Sequence, residues 1–263
     1  MKKTILITGA TNGIGLLAAK KLNLLDNKIL IHGRNKEKLI SISKELNNAA
    51  VYVADLSNME AVVKMSETLL LEHKTIDIVI NNAGILKTNN TKTVHNRDIR
   101  FDVNTLAPFI ITNNLLPIIP NTGRVLNISS AAQSHINITS MSSFTQMDDM
   151  TAYAQSKLAI TIWSQEMARK QPNGPIFISI NPGSLLATKM VKEGFGIEGK
   201  NINIGADIIV KAAMDDKFLN NSGAYYDNDI KSFSNPHPLA DDKSYCDKLM
   251  AEIYLITKEY IKQ

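Results

Sequence analysis

The stretch Thr8-Gly-Ala-Thr-Asn-Gly-Ile-Gly15 decides the fold, because it joins a short apolar run to a helical pattern. The run before it, Thr4–Thr8, predicts a buried strand. Gly9 permits a sharp turn, Gly13 lets the backbone approach a pyrophosphate, and Gly15 allows the helix to pack closely on the strand. The start of that helix offers unpaired N–H groups and a positive dipole end to phosphates. The stretch therefore predicts a dinucleotide-binding turn.

Apolar runs of strand length alternate with helical segments along most of the chain. The other predicted strands are Lys28–His32, Ala50–Val53, Ile76–Ile80, Arg124–Ile128 and Ile176–Ile180. The predicted helices include Leu16–Leu25, Lys36–Leu46, Met59–His73, Phe101–Leu116 and one near Asp241–Tyr260. Such alternation favours an α/β fold of Rossmann type, a doubly wound parallel sheet with helices on both faces. No flexible linker divides the chain, so we expect one domain over residues 1–263.

The composition argues against several classes of function. Of 263 residues, 44% are hydrophobic and 21% are charged, and the net charge is only +4. No basic run with interleaved aromatic residues suggests a nucleic-acid partner, and no apolar run reaches the roughly 18 residues of a membrane span. The five histidines lack metal-ligand spacing, so no metal is expected. The single cysteine, Cys246, can form no internal disulfide, and we expect a cytoplasmic protein.

The segment Tyr153-Ala-Gln-Ser-Lys157 places a phenol and an ammonium group one helical turn apart, on the same face. A free tyrosine keeps its proton up to a pH of about 10, whereas a neighbouring lysine favours the tyrosinate and lowers that pKa. The pair is suited to exchanging one proton with a substrate oxygen. Because such pairs also occur on solvated helices, the interpretation depends on the rest of the sequence.

A series of motifs in one order makes the chain resemble the short-chain dehydrogenase/reductase family over nearly its whole length. Beside the Tyr-x-x-x-Lys pair and the spacing Gly-x-x-x-Gly-x-Gly, they are Asp55-Leu56, Asn81-Asn-Ala-Gly84, Val103-Asn104, Ser129-Ser130 and Asn181-Pro-Gly183. Ser130 lies 23 residues before Tyr153, a longer step than in many members. That step, with Tyr-x-x-Ser-Lys-Leu-Ala, is similar to the retinol dehydrogenase and WW-domain oxidoreductase branch.

This resemblance implies a catalytic set. Tyr153 would exchange the proton with a carbonyl or alcohol oxygen, and Lys157 would lower the pKa of Tyr153 and hold the nicotinamide ribose. The second serine, Ser130, would hydrogen-bond the substrate oxygen, whereas Ser129 is expected to be structural. Asn104 would hold a water molecule that links Lys157 to solvent.

The resemblance also implies a nicotinamide cofactor. Enzymes that choose NAD usually carry a carboxylate after the second strand, where this chain has Gly33-Arg34. Arg34 suits the 2′-phosphate of NADP, which predicts NADP(H) rather than NAD(H); a solvated loop residue is the alternative. The expected cofactor contacts are Gly9, Thr11, Asn12, Gly13, Ile14, Gly15, Arg34, Asp55, Leu56, Asn82, Ala83, Gly84, Tyr153, Lys157, Pro182, Gly183 and Thr188.

Two segments depart from the family pattern and are where we expect substrate preference to be set. The extra residues at 134–150 contain methionines, which suit an adaptable apolar pocket and equally suit surface packing. After the sixth strand, four residues separate Gly183 from Thr188, where three are usual. The segment 184–203 resembles the family's substrate lid, which would exclude water on closing, although its apolar residues also fit ordinary packing.

The expected function is an NADP(H)-dependent oxidoreductase that moves a hydride between nicotinamide and a carbonyl or alcohol of a small apolar molecule. The alternative is a non-catalytic NADP-binding sensor or scaffold on the same fold. Proteins of that second kind usually lack the Tyr, Lys or Ser of the catalytic set, and all three are present here. The stripe Ala159, Trp163, Met167 is expected in the core or in a subunit contact, and by analogy we expect a homodimer or homotetramer.

Overall fold

The strands form one eight-stranded sheet in the computed structural model, which describes residues 2–262. The strands are β1 (Thr4–Ile7), β2 (Lys28–Gly33), β3 (Ala50–Val53), β4 (Ile78–Asn81), β5 (Arg124–Ile128), β6 (Ile176–Asn181), β7 (Tyr225–Asp227) and β8 (Ser232–Ser234). The α-helices are α1 (Gly13–Leu24), α2 (Lys36–Glu45), α3 (Met59–Glu72), α4 (Ile99–Phe101), α5 (Ala107–Leu115), α6 (Thr139–Ser142), α7 (Asp149–Lys170), α8 (Lys189–Phe195), α9 (Asn203–Met214) and α10 (Lys243–Thr257). The sheet order is β3-β2-β1-β4-β5-β6-β7-β8, and every pair is parallel except β7 with β8.

The strand order reverses at β1, which pairs with β2 on one side and β4 on the other. Open α/β sheets bind ligands in the crevice beyond the carboxyl ends of the strands at such a reversal. The glycine turn follows β1, and Asn81-Asn-Ala-Gly84 begins at the end of β4. Both motifs therefore lie at this crevice.

Helices cover both faces of the sheet, which confirms the predicted fold class. α1, α2 and α9 pack against one face, whereas α3, α5, α7 and α10 pack against the other. Successive residues of β1 alternate between these two cores, with Leu6 in one and Ile7 in the other. The strands are near-continuous apolar runs because both of their faces are buried.

Several details of the fold differ from the sequence prediction. β7 and β8 were not predicted, because each has three residues with too few apolar side chains to give a strand pattern. The fourth strand begins at Ile78 rather than Ile76. The helix predicted over Phe101–Leu116 contains a π-helix at Asp102–Leu106, between α4 and α5. Pro108 explains this interruption, since it has no N–H for the carbonyl of Asn104 four residues earlier.

The C-terminal helix α10 covers the outer side of α5 and α7. The ring of Tyr254 meets that of Phe109 edge-on at 5.2 Å, and Phe109 meets Trp163 at 5.5 Å. Ala159 and Trp163 are fully buried and Met167 is 2% exposed. The helical stripe is therefore part of this chain's own core.

Candidate active site

The glycine turn after β1 is braced by the segment after β4. The side-chain amide of Asn82 donates to the carbonyls of Thr8 at 2.8 Å and Gly9 at 3.1 Å. The Thr8 hydroxyl accepts from the backbone N–H groups of Asn82 at 3.0 Å and Ala83 at 3.1 Å. Gly9 has a left-handed φ of +68°, and a Cβ there would lie 2.8 Å from the Ala83 Cα. Only glycine fits this position without moving the backbone of one of the two segments.

The first turn of α1 is left open to an anion. Asn35 and Asn58 each accept a hydrogen bond from a first-turn N–H of their own helix, α2 and α3. Asn12 stands at the same position before α1 and makes no such side-chain bond. Gly13 is also uncrowded, because a Cβ there would meet only the methyl group of Thr188, at 3.7 Å. The helix start therefore keeps N–H groups available to a phosphate.

His32 is a site residue that the sequence reasoning did not identify. It is 2% exposed at the end of β2. Its Nδ1 accepts from the Gly9 N–H at 3.3 Å, and its Nε2–H donates to the Ala54 carbonyl at 3.1 Å. Burial lowers the pKa of His32 to about 4, so the ring is neutral near pH 7. His32 thus joins the glycine turn to the chain just before Asp55.

We expect the protein to lose stability in mild acid through His32. The unfolded state binds a proton below a pH of about 6.5, whereas the folded state resists protonation down to about 4. This difference lowers the free energy of unfolding by about 2 kcal/mol between pH 7 and pH 5. Urea unfolding of wild type and His32→Gln at both pH values measures the effect.

The His32→Gln variant should be less stable at pH 7 and should show a smaller drop toward pH 5. A His135→Gln variant is the control, because His135 is exposed, and it should keep the wild-type pH dependence. Equal drops in wild type and His32→Gln would contradict the assignment.

One cleft of about 830 Å³ lies beyond the carboxyl ends of β1, β2, β4, β5 and β6. Every residue expected to contact the cofactor, from Gly9 to Thr188, lines this cleft. Ser130, Tyr153 and Lys157 line it as well. Asn104, the fourth expected catalytic residue, does not line the cleft.

Asn104 is 1% exposed in the π-helix and lies behind the cleft wall. Its Oδ1 accepts from the Ile85 N–H at 2.8 Å, and its Nδ2 donates to the Ile85 carbonyl and the Ser156 hydroxyl, both at 2.9 Å. The side chain therefore joins the segment after Gly84 to the helix that carries Tyr153. The Asn104 main-chain carbonyl lacks an α-helical donor because Pro108 has no N–H.

The two serines after β5 have different surroundings. The hydroxyl of Ser129 is buried between the Thr161 hydroxyl, at 2.7 Å, and the Lys157 carbonyl, at 3.1 Å. Ser130 is partly exposed to the cleft, and its Oγ accepts from the Ala132 N–H at 3.1 Å. A ligand in the cleft can therefore reach Ser130, whereas Ser129 holds α7 against β5.

Burial dominates the ionisation of the Tyr153–Lys157 pair. It raises the pKa of Tyr153, and a hydrogen bond with Ser130 opposes that rise. Burial lowers the pKa of Lys157 to about 8. The Lys157 Nζ donates to the Ile128 carbonyl at 2.7 Å and lies 5.5 Å from the centre of the Tyr153 ring. Burial is thus the largest cause of the shift in the tyrosine pKa, and the expected effect of Lys157 on it stays a prediction.

The segment 134–150 is anchored to α10, and most of its residues do not line the cleft. The Tyr245 hydroxyl of α10 bonds the backbone N–H and C=O of Ile136, at 2.7 and 2.9 Å. Met141 is fully buried. Met150 alone among these residues lines the cleft, and it is 39% exposed.

The extra residue after Gly183 is accommodated at Leu185, which has a left-handed φ of +56°. This conformation is uncommon for a branched side chain. The Leu185 carbonyl accepts from the Lys200 N–H at 2.6 Å, and Lys200 in turn accepts from the Ala187 N–H at 2.6 Å. The segment 184–203 is therefore a loop closed at its base, with α8 inside it. Thr188 caps α8 by accepting from a first-turn N–H at 3.2 Å.

No helix within residues 2–262 has the length and apolar character needed to cross a bilayer. Within the same residues, no group of three or more His, Cys, Asp or Glu side chains is arranged to hold a metal ion.

Two human retinol dehydrogenases are similar in sequence to most of this chain. Human Retinol dehydrogenase 13 is 28% identical in an alignment 278 positions long, gaps included. The alignment covers 95% of this chain and 83% of the relative. Human Retinol dehydrogenase 11 is 30% identical over 194 residues, which cover 70% of this chain and 61% of the relative. The longer match includes the C-terminal elements that follow the glycine turn, the serine pair and Tyr153.

Solved structures with the same fold include a protein of Mycobacterium paratuberculosis, with a TM-score of 0.83, 23% identity and coverage of 99% of this chain and 95% of that one. A short chain dehydrogenase of Escherichia coli CFT073, complexed with NADPH, has a TM-score of 0.71, 24% identity and coverage of 86% and 96%. The family model for short chain dehydrogenases matches residues 3–196. The chain therefore belongs to the short chain dehydrogenase family, in the branch of the retinol dehydrogenases.

Proposed function

We propose that this enzyme is an NADP(H)-dependent oxidoreductase that interconverts a carbonyl and an alcohol on a small apolar substrate. The observation that carries the proposal is one cleft that contains the glycine turn, Ser130, Tyr153 and Lys157. When bound, the nicotinamide would supply or accept the hydride. The NADPH held by the Escherichia coli neighbour supports the same cofactor class here.

The cleft fits such a cofactor along its whole length. The uncapped start of α1 and the open backbone of Gly13 suit the pyrophosphate. Asp55 and Leu56 would lie beside the adenine, and Pro182 and Thr188 would lie beside the nicotinamide. One cleft thus contains residues for each part of a dinucleotide.

The proton chemistry follows from the protonation states in the cleft. Because its pKa is raised, Tyr153 holds its proton near pH 7 and can donate it to a carbonyl oxygen. Ser130 lies beside it and would hydrogen-bond the same oxygen as charge develops there. Lys157 would hold the ribose and receive protons through a water held by Asn104. In this protonation state Tyr153 is ready to act as the acid in carbonyl reduction.

The preference for NADP(H) is proposed from Arg34. This side chain lines the cleft directly after β2 and is exposed. It forms no ion pair with any carboxylate among residues 2–262. Its guanidinium group is therefore available to bind a phosphate in two-pronged fashion.

Arg34→Ala is expected to weaken NADPH binding about 30-fold, because a charge-assisted bond of this kind contributes about 2 kcal/mol. Binding of NADH should change less than twofold, since NADH lacks the 2′-phosphate. Titration of both cofactors by fluorescence measures the two dissociation constants. Lys36→Ala, which removes a nearby exposed cation, is the control. An equal loss for both cofactors, or similar wild-type affinity for both, would refute the proposal.

The apolar substrate is proposed from the side chains around the tyrosine end of the cleft. The apolar residues that line it there are Leu86, Ile99, Val103, Met150, Leu185, Met190, Val191 and Phe195. Several of them belong to the lid, so that closure would bury apolar substrate surface and exclude water. The charged side chains Lys87, Lys157, Lys189 and Glu193 also line the cleft.

The proposal is tested by measuring NADPH consumption against a panel of apolar aldehydes and ketones. Turnover would separate the enzyme from the alternative, a sensor or scaffold that binds NADP(H) without reaction. Tight NADPH binding with no turnover on a broad panel would favour that alternative. The complete set of Ser130, Tyr153 and Lys157 in one cleft supports the enzyme.

The expected homodimer or homotetramer and the cytoplasmic location stay predictions. α10 already covers the outer side of α5 and α7. A second copy would therefore have to pair through another surface of the protein. The buried free thiol of Cys246 is compatible with a reducing compartment.

A further inference from the structure

A fully buried arginine joins the two elements that carry the proposed catalytic residues. Arg100, in α4, has no exposed side-chain surface. Its Nε and Nη2 donate to the two carboxylate oxygens of Asp98, at 2.7 and 2.6 Å. Its Nη1 donates to Asp149 in α7 at 2.5 Å. The guanidinium group thus bridges two carboxylates from distant parts of the chain.

The bridge remains ionised. Burial lowers the pKa of Arg100, but the hydrogen bonds and charges of Asp98 and Asp149 together raise it above its ordinary value. Asp98 is also fully buried, whereas the side chain of Asp149 is 37% exposed. Asp98 alone would neutralise the cation with a two-pronged bond. The third hydrogen bond, to Asp149, is not needed for charge balance. It connects α4 to α7.

The positions of the two partners relate the bridge to the site. Asp149 is the first residue of α7, one helical turn before Tyr153. Arg100 lies two residues before the π-helix that contains Asn104. Ile99 and Met150, which adjoin Arg100 and Asp149 in the sequence, both line the cleft. The ion pair thus lies directly behind the wall of the substrate end.

A second set of bonds holds α7 after Tyr153. The Thr105 hydroxyl donates to the Ser156 carbonyl at 2.9 Å, and Asn104 donates to the Ser156 hydroxyl at 2.9 Å. These contacts and the Arg100–Asp149 bond lie on opposite sides of Tyr153 along the helix. The first turn of a helix has the weakest internal hydrogen bonding. Besides the Asp148 cap, the Arg100 contact ties this turn to α4.

We infer that Arg100 is a positioning residue that fixes the first turn of α7 against the π-helix and thereby places the Tyr153 hydroxyl for proton transfer. Asp149 is the acceptor through which it acts. This inference rests on the proposed function for its effect on turnover, but the structural part of it can be measured without turnover. Misplacement of a reacting group by about 1 Å can reduce a rate by about 100-fold.

The test compares Asp149→Asn with Asp148→Asn. Both changes remove one negative charge at the start of α7, so they alter its dipole interaction equally. Asp148 is the N-cap, and its carboxylate contacts a first-turn N–H of α7 and not Arg100. Asparagine keeps that cap. Asp149 is chosen over Arg100 and Asp98 because it is partly exposed, so that the variant is expected to fold.

We expect Asp149→Asn to lower kcat for carbonyl reduction about tenfold, with the NADPH dissociation constant within twofold of wild type. Asp148→Asn should keep kcat within twofold, and Asp149→Glu should restore part of the loss. Hydrogen exchange should become faster in Asp149→Asn for amides of residues 149–156 and stay unchanged in α10.

The outcomes separate the two claims. If wild type turns over and Asp149→Asn matches Asp148→Asn in kcat, the positioning role is wrong. If wild type shows no turnover, the proposed function fails, and the exchange experiment alone decides whether Arg100 orders the first turn of α7. Equal exchange in both variants and wild type would then overturn the inference.

Discussion

Replacing Tyr153 with phenylalanine should lower kcat/KM for carbonyl reduction about 1000-fold while leaving the NADPH dissociation constant within threefold of wild type. General acid catalysis contributes about 100- to 10,000-fold, and within the cleft this phenol is placed beside Ser130. Phenylalanine retains the ring and removes only the proton donor. Steady-state kinetics with NADPH, together with a fluorescence titration, measures both quantities.

The pH dependence of the same reaction tests the protonation state. Burial raises the pKa of Tyr153, so the phenol keeps its proton, and reduction should vary little between about pH 6 and pH 8. Alcohol oxidation needs the tyrosinate and should become faster as the pH rises. The two directions should therefore differ in pH profile for wild type.

Tyr254→Phe is the matched control, because Tyr254 contacts Phe109 and lies outside the cleft. Its kcat/KM should stay within twofold of wild type. Turnover of Tyr153→Phe within tenfold of wild type would remove this tyrosine from its role.

The sequence was sufficient to predict the residues of the cleft because their positions depend on local patterns. Gly9, Asp55 and Asn82 each follow an apolar run, and parallel strands bring their carboxyl ends to one edge of the sheet. Arg34 is found in the same way after β2. Motif order and strand order therefore predict the location of the site without any knowledge of long-range contacts.

The features that were missed all depend on contacts between distant residues. In the sequence His32 is an isolated histidine. In the fold, β2 places it within hydrogen-bond distance of the Gly9 N–H. Arg100 and Asp149 are 49 residues apart, and no pattern in the sequence relates them. The pKa of Tyr153 depends on the degree of burial, whereas the sequence shows only that Lys157 is one turn away. Local motifs identify the reacting groups, but their electrostatic and mechanical support comes from tertiary structure.

Gly9→Ala should weaken NADPH binding about 100-fold and lower the free energy of unfolding. Alanine at a φ of +68° costs about 1 kcal/mol or more, and its Cβ would lie 2.8 Å from the Ala83 Cα. Overpacking of this kind adds about 2 kcal/mol. If the free variant relaxes by moving the turn, the cofactor must restore the native shape on binding. That cost of about 3 kcal/mol corresponds to roughly a 100-fold change in affinity.

Gly196→Ala separates the two contributions. Gly196 has almost the same φ, +69°, but a Cβ there would meet no atom within 4 Å. Gly196→Ala should therefore lower the free energy of unfolding by only the conformational cost, about 1 kcal/mol. Gly9→Ala should lower it by the conformational cost and the overpacking cost together. NADPH affinity within threefold of wild type in Gly9→Ala would mean that the turn can move away from Ala83 and still bind phosphate. The brace between β1 and β4 would then be a feature of folding alone, and the shape of the turn would not determine cofactor affinity.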